Sequence, residues 1–201
     1  MIEPKKIINH HRTDSELQEC FLFCYAVAGK NADSTASKVN DMFAYIRRQE
    51  PMVDMGLRGP LEYFGYHGPE FSISIIEHFK FGKYKSWFQM LSQMQRRFPK
   101  INLILKKGTP NYLESFHGVG PKTSRFFINS TRKDARYAVL DTHILRYLRE
   151  AGFKAPKSTP RGKMYQYWEK IALSRMEEAR NEGESLADVD LRIWKLYSGR
   201  E

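Results

Sequence analysis

The stretch Phe116-His117-Gly118-Val119-Gly120-Pro121-Lys122 decides how the chain is read, together with Val139-Leu140-Asp141-Thr142-His143, whose aspartate falls nineteen residues after Lys122. Gly118 and Gly120 permit a tight turn with positive φ and leave backbone N–H groups uncovered. Pro121 suits the first position of a following helix. A helix start preceded by exposed N–H groups can hold a phosphate. Val119 is expected to point inward and pin the turn, with Leu113, Phe116 and Phe126 holding the flanking helices together. On the glycines alone, a compact helix–turn–helix connection is an equal reading. Lys122 then lies in the first turn of the second helix, and Asp141 heads a later one, where its carboxylate can cap N–H groups. A solvated lysine and a simple cap are the bland readings of these two residues; both holding together is a weaker account than either alone.

Outward from the hairpin the pattern is helical almost throughout, and the fold class is all-α. Thr13-Asp14-Ser15-Glu16 forms a capping-box sequence opening a helix through Leu17, Phe21, Phe23, Cys24 and Val27 that stops at Gly29. Its apolar density marks a buried central helix. Asn31 and Asp33 can cap a second helix carrying Ala36, Val39, Met42, Phe43 and Ile46, ending before Pro51. Pro51 to Pro69 is turn-rich, with room for a short helix at Leu61–Phe64. Phe71 to Ile75 alternates like a strand, but its continuation and the lack of a partner strand favour helix. Further helices are expected at Tyr84–Phe98, Thr142–Ala151, Gly162–Glu182 and Leu186–Tyr197.

The charge, +10 from 33 Lys+Arg against 23 Asp+Glu, favours a polyanionic partner. Lys30, Lys38, Arg47, Arg48, Arg125, Arg132, Lys133, Arg146 and Arg149 are candidate phosphate contacts, some of them on solvated faces. Cys20 and Cys24, four residues apart, share one helix face and read as small core residues. Two cysteines cannot hold a four-cysteine iron–sulfur cluster, and no partner pair has zinc spacing. The expectation is no metal and no cofactor. The first residues do not read as a signal peptide, and no run of about 18 apolar residues could span a membrane. The expected location is the cytoplasm, around the nucleoid, or the nucleus of a compartmented cell.

The hairpin, its lysine and the Asp-x-His segment resemble the helix-hairpin-helix DNA glycosylase superfamily. Within it, Leu186-Ala187-Asp188-Val189-Asp190-Leu191-Arg192-Ile193-Trp194 and Phe23 to Ala32 are similar to the compact second type of 8-oxoguanine glycosylase. The resemblance spans most of the chain and is weak between Pro51 and Lys100. It implies two helical lobes, residues 1–30 with 135–201 and residues 31–134, with the active site in the cleft between them.

The implied activity is a bifunctional DNA glycosylase and abasic-site lyase of base excision repair, acting on an oxidised purine, 8-oxoguanine first, in damaged double-stranded DNA, as a monomer. The resemblance makes Lys122 the nucleophile at C1′ of a flipped nucleotide and Asp141 the residue that stabilises the sugar cation and helps deprotonate the lysine. The start of a helix dipole and desolvation both favour a neutral amine. Gly118, Val119, Gly120 and His143 would contact the DNA backbone, though His143 reads equally as structural. Asn31 would fill the gap left by the flipped base or simply cap its helix. Trp194 would stack on the base or sit in the core, and Asp188 and Asp190 would meet the base edge or orient their helix. The chain ends Gly199-Arg200-Glu201, where the family has a lysine near the base, and this departure bears on the lesion. The competing readings are a glycosylase of the same superfamily for another damaged base, a non-catalytic helix-hairpin-helix module, and a helical protein-interaction bundle. The second has no use for both Lys122 and Asp141; the third leaves the charge unexplained.

Overall fold

The computed structural model describes residues 1–49, 56–57 and 59–199. Residues 50–55 and 58, the first part of the turn-rich stretch expected from Pro51 to Pro69, and the terminal Arg200 and Glu201 lie outside the described residues; the short helix expected at Leu61–Phe64 is present and longer, Pro60–His67. Eleven α-helices are present among them and no strand: α1 Asp14–Ala26, α2 Ala32–Gln49, α3 Pro60–His67, α4 Pro69–His78, α5 Tyr84–Gln95, α6 Ile101–Lys107, α7 Pro110–Leu113, α8 Pro121–Thr131, α9 Thr142–Glu150, α10 Gly162–Glu178 and α11 Leu186–Tyr197. The chain divides into two compact units. One holds residues 1–4 and 11–120, the other residues 5–10 and 121–201. This partition cuts at other places than the 30/31 and 134/135 boundaries drawn from the sequence.

In the first unit α1 is the central element, with every residue from Leu17 to Ala26 buried. Its capping box forms: Glu16 N–H donates to Thr13 Oγ1 at 3.3 Å, and Thr13 N–H donates to Glu16 Oε2 at 2.8 Å. Cys20 and Cys24 are buried and form no disulfide. Ala36, Val39, Met42, Phe43 and Ile46 line the buried side of α2, which packs on α1.

A polar residue inside α1 has a specific task. Helix α3 begins at Gly59 without a side-chain cap. Buried Gln18 supplies one from outside, its Oε1 accepting from Leu61 and Glu62 N–H at 2.8 and 3.1 Å, while its Nε2 donates to Asn102 Oδ1 at 2.7 Å. Two of the orphan donors of a helix start are thus satisfied without exposing it to water. The alternating stretch from Phe71 lies in α4. Ser72 fits that buried face because its hydroxyl donates back to Gly68 O at 2.6 Å and Phe64 O at 3.1 Å.

The second unit packs α9, α10 and α11 around Leu140, Ile144, Leu145, Leu148, Ala172 and Val189. Helix α10 stops at Glu178, four residues short of the expected Glu182. Its last turn would otherwise gather Glu177, Glu178 and Glu182 at the negative end of the helix dipole, and Asn181 N–H turns instead to Glu184 Oε2 at 3.0 Å. Helix α11 has the expected bounds.

Candidate active site

The hairpin sits at the end of the first unit, and its two glycines do different work. Gly118 has φ +77°, and a Cβ there would lie 2.5 Å from Tyr25 Oη and 2.7 Å from Ser86 Oγ, a pair that hydrogen-bond to each other at 2.7 Å. Gly120 does not take the positive φ expected of it, and a Cβ there would meet nothing within 4 Å. Conformation and contact therefore demand glycine at 118, whereas at 120 its absence of a side chain only leaves the backbone uncovered. Val119 is buried as expected, and its N–H donates to Phe116 O at 3.1 Å. The Phe116 ring is fully buried, meets Phe21 edge-on at 6.4 Å and lies under the Arg97 guanidinium at 4.8 Å. Phe126, expected to help hold the hairpin helices, is half-buried on α8.

Pro121 opens α8, and Lys122 is its second residue, half-buried. Asp141 is placed by a different device. Before α9 the chain runs through Tyr137, Ala138, Val139 and Leu140 in neither helix nor sheet, and the last three are buried. A buried backbone without a ladder must find partners elsewhere. Here side chains supply them. Asn129 Nδ2 donates to Tyr137 O at 2.8 Å, Glu169 Oε1 accepts from Ala138 N–H at 3.4 Å, and Tyr165 Oη donates to Ala138 O at 3.0 Å. Asp190 Oδ2 accepts from Val139 N–H at 2.9 Å, Tyr165 Oη from Leu140 N–H at 3.2 Å, and Thr159 Oγ1 donates to Leu140 O at 2.8 Å. The strap ends in a tight turn, Asp141 N–H donating to Val139 O at 2.6 Å. Asp141 then caps α9, its Oδ1 accepting from His143 and Ile144 N–H at 2.8 and 2.9 Å.

Glu169 is itself held by Arg125, whose Nε donates to Oε1 at 2.9 Å and whose second fork nitrogen donates to Oε2 at 3.3 Å. Arg125 was a candidate phosphate contact. It is buried in this pair, with its guanidinium 4.8 Å from the Tyr165 ring centre. Burial pushes the Tyr165 hydroxyl up, so it stays protonated and can donate to Ala138.

Asp190 ties these parts together. It is buried on α11, and that burial pushes its carboxyl well above the usual carboxylate range. The Val139 N–H opposes the rise, the charge of Asp141 adds to it, and the Lys122 ammonium opposes it. Lys122, Asp141 and Asp190 thus share one electrostatic neighbourhood inside the second unit. One helical turn beyond Asp190, half-buried Trp194 meets the His143 ring edge-on at 6.4 Å. Lys122, Asp141, His143, Asp190 and Trp194 therefore belong to one compact unit. Asp188 does not join them: it is exposed, and its carboxylate completes a capping box with Ser185, accepting from the hydroxyl at 2.5 Å and from Ser185 N–H at 3.1 Å. Asn31, in the other unit, caps α2 through Ser34 N–H at 3.0 Å.

Sequence reasoning passed over Tyr165, Glu169, Asn129 and Thr159. One signal was available. Tyr165 and Glu169 are four residues apart on the face of α10 that also carries Trp168, Ala172 and Met176, and a glutamate on an apolar face calls for a buried partner. Among the described residues no group of three or more His, Cys, Asp or Glu is arranged to hold a metal ion, and no helix is long and apolar enough to cross a membrane.

The architecture is an all-α fold shared with solved DNA glycosylases. More narrowly, it is the fold of archaeal and bacterial 8-oxoguanine DNA glycosylases. The 8-oxoguanine glycosylase/lyase of Methanocaldococcus jannaschii, solved in complex with a 15mer DNA containing 8-oxoguanine, matches with TM-score 0.62 and 20% identity over 94% of this chain and 84% of its own. The 8-oxoguanine DNA glycosylase of Thermotoga maritima matches with TM-score 0.62 and 22% identity over 93% of this chain and 82% of its own. A second Methanocaldococcus jannaschii structure gives TM-score 0.63 and 19% identity over 94% and 80%. At these identities the likeness is one of fold. No protein-family model matches the chain.

Proposed function

We propose that this chain is a DNA glycosylase with abasic-site lyase activity, excising 8-oxoguanine from duplex DNA through a Schiff base on Lys122. The observation that carries the reading is the convergence of Lys122, Asp141 and Asp190 in one neighbourhood, with both carboxyls bonded to the strap and turn at the head of α9. The fold shared with proteins named for 8-oxoguanine points to the lesion.

The chemistry follows from the groups present. A base in a duplex hides its sugar C1′, so the nucleotide must leave the stack first. The neutral Lys122 amine attacks C1′; the glycosidic bond breaks and the base departs with its electron pair, taking up a proton. The Asp141 side chain, anchored by two N–H groups, faces the positive charge that grows on the sugar. The lysine nitrogen gives up one proton, the C1′–O4′ bond breaks with O4′ taking up a proton, and the nitrogen is left as a protonated imine that draws electrons from C2′. Loss of a C2′ proton then breaks the C3′–O bond, cutting the strand on the 3′ side of the lesion, and water releases the lysine. Trp194 offers a ring face for the extruded base, and Gly120 an uncovered backbone for the phosphates.

The test is chemical trapping. Duplexes each bearing one lesion are incubated with the protein and borohydride, which reduces an imine to a stable amine. The expected result is a covalent adduct with 8-oxoguanine duplex that Lys122→Gln abolishes. No adduct with any lesion or with an abasic site rejects the lyase reading, and faster base release from a different lesion replaces the substrate.

A further inference from the structure

Arg125 and Glu169 form a buried ion pair that takes no part in bond breaking. Arg125 lies one turn beyond Lys122 on α8, so the two side chains leave nearly the same face of that helix. Its guanidinium is bonded on every side. Nε and Nη2 donate to the two oxygens of Glu169 at 2.9 and 3.3 Å, and Nη1 turns back along α8 to Ser124 Oγ at 3.2 Å and Pro121 O at 3.5 Å. The same guanidinium lies 4.8 Å from the Tyr165 ring centre and 5.7 Å from that of Tyr137. Glu169 Oε1 also accepts from Ala138 N–H at 3.4 Å. One carboxylate thus joins the helix that carries Lys122 to the strap that ends in Asp141. Of the two rings that Arg125 meets, Tyr137 begins the strap and Tyr165 holds it.

Stability alone does not call for this pair. Taking two charges out of water is costly, and apolar side chains of similar volume often stabilise a core as well or better. What apolar packing does poorly is fix a rotation. Helix α8 packs against α11, and a smooth apolar contact tolerates a small roll about the helix axis. A side chain reaches about 5–6 Å from the axis of its helix, so a roll of about 10° carries its end through about 1 Å. A planar fork bonded to both oxygens of one carboxylate resists that roll, because turning the helix bends both bonds at once. A displacement of about 1 Å at a reacting group can slow a reaction by about 100-fold.

We infer that Arg125 and Glu169 are positioning residues, setting the roll of α8 and with it the approach of Lys122 to the sugar whose charge Asp141 faces. This rests on the glycosylase reading and assigns the pair no contact with DNA or with the reacting atoms.

The test compares two steps that make different demands. Base release from an 8-oxoguanine duplex needs Lys122 and Asp141 in register at one C1′. Imine formation at a ready-made abasic site needs the amine alone, because that sugar opens to an aldehyde and has no base to expel. Arg125→Met with Glu169→Gln removes both charges, and the Gln carbonyl can still accept from Ala138 N–H. In single-turnover assays the double variant is expected to release 8-oxoguanine about 10- to 100-fold more slowly, while its borohydride adduct at the abasic site forms within about threefold of the wild-type rate. The protein concentration giving half the maximal rate stays unchanged. General loss of structure would instead lower both rates together. Glu177→Gln, which breaks the exposed Arg136–Glu177 pair between α10 and the residue just before the strap, leaves both rates within about twofold. If the double variant fails to fold, Arg125→Lys, which keeps the charge and loses the fork, is read in the same way. Equal slowing of the two steps in a folded variant, or no slowing of base release, overturns the positioning role and leaves the glycosylase reading standing. A wild-type protein that gives neither base release nor adduct overturns both.

Discussion

Removing one oxygen tests the strap that carries Asp141. Tyr165→Phe keeps the ring, its packing and the Arg125 guanidinium above it, and deletes a hydroxyl that donates to Ala138 O at 3.0 Å and accepts from Leu140 N–H at 3.2 Å. Tyr165, Ala138 and Leu140 are each 0% exposed, so water cannot replace the lost partner. A buried carbonyl and a buried N–H are left unpaired at about 1–3 kcal/mol each, while the hydroxyl's own desolvation cost disappears. The net loss is about 2–4 kcal/mol. In a chain of this size that lowers Tm by about 5–15 °C. Urea unfolding followed by circular dichroism gives the stability change. Amide hydrogen exchange locates it, and the Leu140 N–H, silent in the wild type, is expected to exchange faster in the variant. Below the melting range, single-turnover base release also slows, because Asp141 follows Leu140 directly. A stability loss under about 0.5 kcal/mol, with Leu140 still protected, would refute the claim that side chains hold this backbone in place.

Two further perturbations separate roles that look alike in the sequence. Gly118→Ala forces a left-handed alanine against Tyr25 and Ser86 and is expected to cost about 1–3 kcal/mol, whereas Gly120→Ala leaves Tm nearly unchanged and weakens duplex binding by covering the backbone; equal melting temperatures for the two would contradict the geometry. Asp190→Asn keeps an acceptor for Val139 N–H but cannot ionise. Because burial raises the Asp190 carboxyl in the folded state above its ordinary 3.8, its contribution is fully present below that value and is lost as pH rises through the folded one. The variant's Tm relative to wild type should therefore climb as pH rises from the ordinary 3.8 through the raised folded-state range, and parallel Tm curves would exclude a buried, raised Asp190.

The helices, their caps and the hairpin could be read from the residues because they follow from local rules. Thr13 with Glu16 announces a helix start, and the spacing of Ala36, Val39, Met42, Phe43 and Ile46 announces a buried face. Lys122 and Asp141 stood out because their spacing fits one family. What stayed hidden depends on partners distant in sequence. Glycine chemistry allows positive φ at both 118 and 120, and only the neighbours Tyr25 and Ser86 show which residue needs it. Arg125 has the composition of a phosphate contact, yet Glu169, forty-four residues later, buries it. The strap has no helical or alternating period, so nothing local marks it as buried, and the side chains that complete it come from three helices and a loop.

A strand paired in a sheet can slide by two residues and recover an equivalent set of bonds, because its partner is periodic. Residues 137–140 have no such freedom. Their partners are an amide, two carboxyl groups, a phenol that donates to one group and accepts from another, and an aliphatic hydroxyl, drawn from three helices and a loop. A shift in either direction would part Thr159 from Leu140 O and Asn129 from Tyr137 O without offering either side chain the same geometry. Register is thereby fixed by chemical identity rather than by repetition, and the carboxylate at the end of the strap can arrive at only one position.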